Sequence, residues 1–433
     1  MRFPGRLIPV AALAMAAVPA HAAGSSSIDP GDTAWVLMST ALVMLMTPGL
    51  GLFYGGMVRR KNVLATVLQS FILIGVVGVQ WVLIGYTLAF GPDKWHFIGS
   101  LDWAGLRGVG LEPNATYSAT IPHQAFMIFQ MMFAVITPAL ITGAFAERMR
   151  FKAFLIFTPL WATLVYDPVC HWVWAPGGWL RELGALDFAG GTVVHICSGI
   201  AALTCALVIG RRKGYGKDDM MPHNVTMTII GTALLWFGWF GFNAGSALAA
   251  NGLAASAFVV TNTAAGAAAL SWTLVEWWHR GKPTALGSAS GAVAGLVAIT
   301  PGSGFVGPLA AIAIGGVVSV LCYFAIVMKG KLGYDDSLDV FGIHGVGGTW
   351  GAIATGIFAT ATINSAGADG LLHGNAPLLI KQLIAIAAVF AYSFVLTFIL
   401  LKVTGVFSDL RVTHEEEESG LDITQHGELG YSF

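Results

Sequence analysis

The sequence predicts an all-α polytopic membrane protein of about eleven transmembrane helices with an inverted internal duplication. Three observations predict it. Of 433 residues, 56% are hydrophobic and only 10% are charged, with mean hydropathy +0.73; a soluble domain carries about 25% charged residues. Apolar runs long enough to cross a bilayer recur along the chain. The unit D-x7-H also occurs twice in apolar surroundings, as Asp187…His195 in DFAGGTVVH and Asp336…His344 in DSLDVFGIH.

In chain order, residues 1–22 read as a signal peptide. Arg2 and Arg6 form a positive start, LIPVAALAMAAV an apolar core, and Ala20-His21-Ala22 a small-x-small cleavage site. An extra membrane helix is the alternative, but the apolar run is short for a span. Spans follow at 33–57, 64–90, 121–145, 152–173, 190–210, 224–249, 256–278, 286–303, 307–329, 341–363 and 378–407. The transmembrane domain is thus expected over 23–407. Its repeats cover about 33–210 and 224–363, a last helix lies at 378–407, and a polar tail occupies 408–433.

The loops alternate in charge. One set holds Arg59, Arg60 and Lys61, then Arg148, Arg150 and Lys152, then Arg211, Arg212, Lys213 and Lys217. It continues with Arg280, Lys282, Lys329 and Lys331, and with Lys402 and Arg411 beside the last span. The other set holds Lys94, Arg107, Arg181 and Lys381. The positive-inside rule makes the first set cytoplasmic. That places the mature N-terminus outside, the C-terminus inside and the protein in the cytoplasmic (inner) membrane.

Five spans separate the two D-x7-H units, and an odd offset inverts the second half. Inverted repeats place a solute path at their interface. The runs PGLGLFYGG at 48–56 and GWFGFNAGS at 238–246 both favour close helix crossing.

Net charge is −1, so no basic face argues for nucleic acid. Cys170, Cys197, Cys205 and Cys322 lie in or beside apolar segments without metal-ligand spacing, and read as small hydrophobes. No cofactor or metal is implied, no nucleophile–base constellation of an enzyme is visible, and no carbonyl-lined potassium filter is visible.

An ionisable residue inside a membrane span is expensive and functional by default. A lone histidine on an apolar face is more often a satisfied core residue. Two symmetry-related ones argue for a pair, because neutral imidazoles hydrogen-bond each other while adding polar nitrogen without net charge. Asp187 and Asp336 each precede an apolar helix and read first as N-caps. For Asp187 a second, compatible reading is an anionic anchor beneath an outer vestibule. Trp172 and Trp174 in HWVWAPGG read either as an interfacial belt or as cation–π partners for an ammonium-sized ion. Phe129, Phe133, Trp239 and Phe242 read first as packing. Ser246 reads first as helix-contact glue, though its hydroxyl can also accept a hydrogen bond from a bound cation.

Five motifs occur in order: AFAERMRF at 144–151, DFAGGTVVHI at 187–196, GWFGFNAGSAL at 238–248, DVFGIHGVGG at 339–348 and GLD…HGE at 420–428. Together they resemble the bacterial ammonium transporter (Amt) branch of the Amt/Mep/Rh superfamily over about residues 30–430. The resemblance implies an eleven-helix fold with a 5+5 inverted repeat, and a homotrimer with one pore per subunit. It implies NH4+ recruitment by Trp174, Phe133 and Ser246, deprotonation and transport at Asp187, and an outer gate of Phe133 and Phe242. His195 and His344 match the twin-histidine pair and Trp239 a pore-wall residue. Asp336 and Asp339 are the structural aspartates of the second repeat. The tail, with its run Glu415–Glu418, is either solvated or, by the resemblance, a cytoplasmic element that couples subunits and helps dock a PII-type regulatory protein. Pro176 lengthens the loop from Trp174 to Asp187 by one residue relative to the family pattern. The rivals are an electroneutral NH3/CO2 gas channel of Rh type and an ammonium sensor signalling through the tail. Sensor-type variants replace the outer histidine, which this chain retains.

Overall fold

The computed structural model describes residues 28–431. The signal-peptide reading of residues 1–22 lies outside the described residues. The helices are α1 (Pro30–Met57), α2 (Arg60–Phe90), α3 (His123–Phe145) and α4 (Phe151–Leu183, interrupted by a turn at 175–178). Then come α5 (Gly191–Ile209), α6 (Val225–Gly245), α7 (Gly252–Arg280), α8 (Ala285–Gly302) and α9 (Pro308–Leu332). They are followed by α10 (341–358), α11 (Ala376–Phe407), and two short helices, α12 (His414–Ser419) and α13 (Leu421–His426).

Among the described residues, ten helices are long and apolar enough to cross a membrane. The expected span at 341–363 coincides with α10, which stops at Phe358 instead of 363. Its glycines and His344 dilute its apolarity, so it falls short of that standard. Helix starts follow local chemistry: Asp29, Asn224, Asn251 and Thr284 each accept a backbone N–H at the head of α1, α6, α7 and α8. Gly281 and Gly333 end α7 and α9 in the left-handed region.

Burial sorts the helices. In α3, 89% of the apolar stretch is buried, against 33% in α2 and α11. The centre of the bundle is therefore α3 with α5 and α8. α2, α7, α9 and α11 turn much of their apolar surface outward, as lipid contact requires. The four cysteines are buried and unbridged.

The two Gly-aromatic runs lie on α1 and α6, which cross each other. A Cβ on Gly231 would sit 2.3 Å from the Phe53 backbone nitrogen, and one on Gly238 would sit 2.2 Å from Met46 Cγ. Neither leaves room for a methyl. Gly231→Ala should destabilise the bundle by about 1–3 kcal/mol, visible as a lowered melting temperature in detergent; an unchanged melt would show the crossing to be looser than described.

The charged loops gather at one end. Glu147 receives Arg59 (2.8 Å) and Arg212 (3.1 Å), and Arg212 also pairs with Asp335 (2.9 Å). Arg148, wholly buried, donates to the carbonyls of Gly210 (2.8 Å) and Asp335 (2.6 Å).

The tail is folded onto this basic end, although Glu415 and Glu418 of the glutamate run stay exposed. Asp422 accepts the backbone N–H groups of Leu64 (3.1 Å) and Ala65 (2.8 Å), and Asn62 accepts from Leu421 (2.8 Å). Glu416 pairs with Arg150, and buried Glu417 pairs with Arg411. Within the glutamate run, Glu418 stays exposed beside Lys213.

Candidate pore

Both histidines sit in π-helical turns, His195 in Gly191–Ile196 and His344 in Phe341–Gly345. A π turn inserts one extra residue and redirects a side chain, a frequent device at functional sites. Two aspartates seat these turns. Asp187 Oδ1 accepts from Gly190 N and Gly191 N, both at 2.7 Å; Oδ2 accepts from Thr192 N (2.7 Å) and from the Thr192 hydroxyl. Asp336 Oδ2 accepts from Phe341 N at 2.7 Å. Neither aspartate is the N-cap residue itself, which is Gly190 in one turn and Val340 in the other, but each accepts backbone N–H groups at the start of its turn. Asp339 does something else: it takes a left-handed backbone (φ 60) and ion-pairs with Lys329.

The two turns are brought together by close contact of α5 with α10. A Cβ on Gly199 would lie 2.2 Å from Gly345 N. The histidines then meet across the interface, Nδ1 to Nδ1 at 3.3 Å, with ring centroids 5.3 Å apart. Among the described residues, His195 Nε2 finds no hydrogen-bond partner.

The imidazoles line a closed lumen with a free volume of ≈ 10 Å³, about the threshold for one water. Its remaining wall includes Leu50, Phe53, Ile136, Leu235, Trp239, Phe242 and Val293. Trp239 stacks on His195 at 5.4 Å and donates its indole N–H outward to Thr300 Oγ1 at 2.9 Å. It therefore presents carbon to the lumen, and the histidine nitrogens are the polar groups there.

Above the lumen, Phe242 and Phe133 pack with centroids 4.3 Å apart and their planes tilted by 36°. Phe242 faces the lumen and Phe133 an outer cavity of ≈ 190 Å³. Trp174, Ser246 and Phe133 all line this cavity. Trp174 meets Phe133 edge-on at 5.7 Å and donates its indole N–H to the Asp187 carbonyl at 2.9 Å. The Ser246 hydroxyl donates to Phe242 O at 2.8 Å. Its proton is thus committed, leaving its lone pairs to accept from a donor in the cavity. The Asp187 carboxylate is not part of the cavity wall.

Trp172 is corrected. Neither an exposed belt residue nor part of the cavity, it is 4% exposed and packs on Phe97, Trp179 and Tyr392. Phe129 packs behind Phe133 at 5.1 Å. Sequence reasoning missed Tyr117, Gln130 and Arg181 in the cavity wall, which come from separate loops and helices, and it missed the aliphatic lumen wall altogether. A further cavity of ≈ 520 Å³ opens at the basic end beside Asp339, Glu276 and Tyr323.

Comparison with known proteins is consistent across the chain. The family model described as Ammonium Transporter Family matches residues 34–431. An "Ammonium transporter" of Bacillus subtilis is 58% identical over 402 residues, covering 93% of this chain and 98% of that one. The crystal structure of Candida albicans Mep2 superposes with TM-score 0.85 at 37% identity, covering 90% of this chain and 88% of that one. A structure titled "Sensor Amt Protein" gives TM-score 0.84 at 31% identity, covering 92% and 98%. With its buried histidine pair, its aromatic outer cavity and a match along nearly its whole length, the chain belongs to the Ammonium Transporter Family.

Proposed function

We propose that this chain recruits NH4+ at Trp174, Phe133 and Ser246, removes its proton, and passes NH3 through the lumen along His195 and His344. Family membership makes ammonium the solute. What supports the route is the histidine pair, Nδ1 to Nδ1 at 3.3 Å in an otherwise apolar lumen.

The physical problem is separating ammonium from potassium, which matches it in charge and approximate size. The aromatic faces of the outer cavity attract either cation. Ser246 offers an acceptor, which suits ammonium's directed N–H groups. Below the phenyl gate lies a lumen without a ring of oxygens, so an ion that stays charged meets the full desolvation penalty. Ammonium avoids it by losing a proton.

The pair is suited to receive the neutral molecule. Of two Nδ1 atoms in contact, one carries the hydrogen. In the neutral rings, that histidine has an acceptor at Nε2 and its partner has a donor there. When a proton enters at the acceptor Nε2, the shared proton shifts across the Nδ1 contact and the partner's Nε2 proton leaves; both rings stay neutral and the two roles are exchanged. We hold that the released proton crosses by this pair and water, making uptake electrogenic. For Asp187, the expected site of deprotonation, we propose a role by position instead, since its carboxylate is not in the cavity wall: the carboxylate fixes the His195 turn and the carbonyl holds Trp174. The positive-inside rule puts the basic end in the cytoplasm of the inner membrane. The family resemblance further supports a homotrimer and docking of a PII-type protein at that end.

The test is current from purified protein in liposomes after an ammonium jump, with potassium and sodium as controls. We expect a saturable ammonium-specific current that is lost in Asp187→Ala. Accelerated internal alkalinisation without current would instead mean an electroneutral gas channel of Rh type. The likeness to the sensor structure and the folded tail keep a second reading in view. A sensor would show saturable binding, little turnover, and a tail-deletion phenotype that flux does not explain.

A further inference from the structure

One cation stands in the wall of the cavity that gathers cations. Arg181, on the turn of helix at the end of α4, lines the outer cavity with Trp174, Phe133 and Ser246. It is the one charged residue in that wall among the described residues. Its guanidinium is held there by donating Nη1–H to the Trp174 carbonyl. Among the described residues Arg181 joins no salt bridge, and its side chain is open to solvent at the cavity rim. The adjacent Glu182 accepts from Gly177 N at 3.3 Å. Asp187, below, spends both carboxylate oxygens on the start of α5.

A fixed positive charge raises the free energy of any cation entering a cavity with low-dielectric walls. The aromatic faces and Ser246 pull in the opposite direction. The occupancy of the cavity at a given ammonium concentration is the balance of the two.

We propose that Arg181 sets the affinity of the outer site, lowering it by electrostatic repulsion so that the transporter works at higher ammonium concentration than its aromatic cavity alone would give. This rests on the recruitment reading above. Arg181 has a second, structural tie through the Trp174 carbonyl, so the test must separate charge from anchoring.

The experiment measures ammonium-specific current in proteoliposomes as a function of ammonium concentration, at low and at physiological ionic strength. Wild type, Arg181→Gln and Arg181→Lys are compared. Gln removes the charge and keeps a donor; Lys keeps the charge and loses the planar fork. At low ionic strength Arg181→Gln should lower KM roughly three- to fivefold, the scale of a unit charge interacting through a partly aqueous cavity. Its maximal current should move much less than its KM. The gain should shrink at physiological salt, because the guanidinium is exposed to mobile ions. Arg181→Lys should stay within about twofold of wild type. An unchanged or raised KM in Arg181→Gln, or a shift insensitive to salt, overturns the proposal and leaves Arg181 an anchor of Trp174. If wild type itself gives no saturable ammonium current, the recruitment reading fails and this inference falls with it. The two failures are therefore told apart by the wild-type trace.

Discussion

Replacing either pore histidine with leucine should abolish ammonium-specific current, a loss of at least about 10²-fold, the low end of what a positioned proton-transfer group contributes. His195 and His344 share one Nδ1···Nδ1 contact at 3.3 Å, so removing either ring leaves the other without its partner. Leucine fills similar space and leaves the lumen apolar. His195→Leu also removes the ring that Trp239 and Phe242 pack against, at 5.4 and 6.0 Å, so a melting curve should accompany the current. If a correctly folded leucine variant kept full, ammonium-selective current, the relay would be wrong. Retained NH3 permeation with lost current would place the relay, and not the passage of ammonia, on the imidazoles.

The second large effect concerns stability. Arg212→Met should destabilise the protein by about 3–5 kcal/mol, the range for removing one partner of a buried ion pair. Arg212 donates to Asp335 through Nε and Nη2, both at 2.9 Å, and reaches Glu147 through Nη1 at 3.1 Å. Burial alone would raise both carboxyls. For Glu147, Arg212 and Arg59 outweigh it, and for Asp335, Arg212 and Arg148 do; each carboxyl is held below its ordinary value, 4.5 and 3.8. Lowered carboxylate values give stability that is complete above the unfolded values and is lost as pH falls through the folded ones. Wild type should therefore keep its melting temperature down to about pH 5 and lose it below. Arg212→Met should start low and show a flatter acid limb. Parallel acid limbs in the two proteins would show that other groups carry the dependence.

The spans were legible because hydropathy depends on composition over a window, and so were the histidines, because an ionisable residue inside an apolar run stands out. The aspartates' hold on the turn starts was legible from their place ahead of a helix. The roles of Phe133, Phe242, Ser246 and Trp174 came through the family resemblance, since a phenylalanine or serine in an apolar run looks like packing. The lumen wall was invisible: Leu50, Ile136, Leu235 and Val293 have the composition of lipid-facing residues, and only the fold says which way they point. Arg181 was hidden among loop charges, because the cavity is assembled from segments far apart in sequence. The π turns left no periodic trace, each being one extra residue. The packing of the tail glutamates was not legible, because the cations pairing Glu416 and Glu417, Arg150 and Arg411, include one more than two hundred residues upstream.

The interlocked crossing of α1 and α6 has a mechanical consequence. Where backbone rests against backbone, as at Gly231 and Phe53, there is no compressible layer of side chains to slide. Two halves joined this way resist rocking against each other. Turnover then requires no cycle of whole-molecule states, and flux should depend on temperature only as weakly as ring rotation and small-molecule diffusion do. On the route proposed above, two phenyl rings and a proton are the parts that need to move.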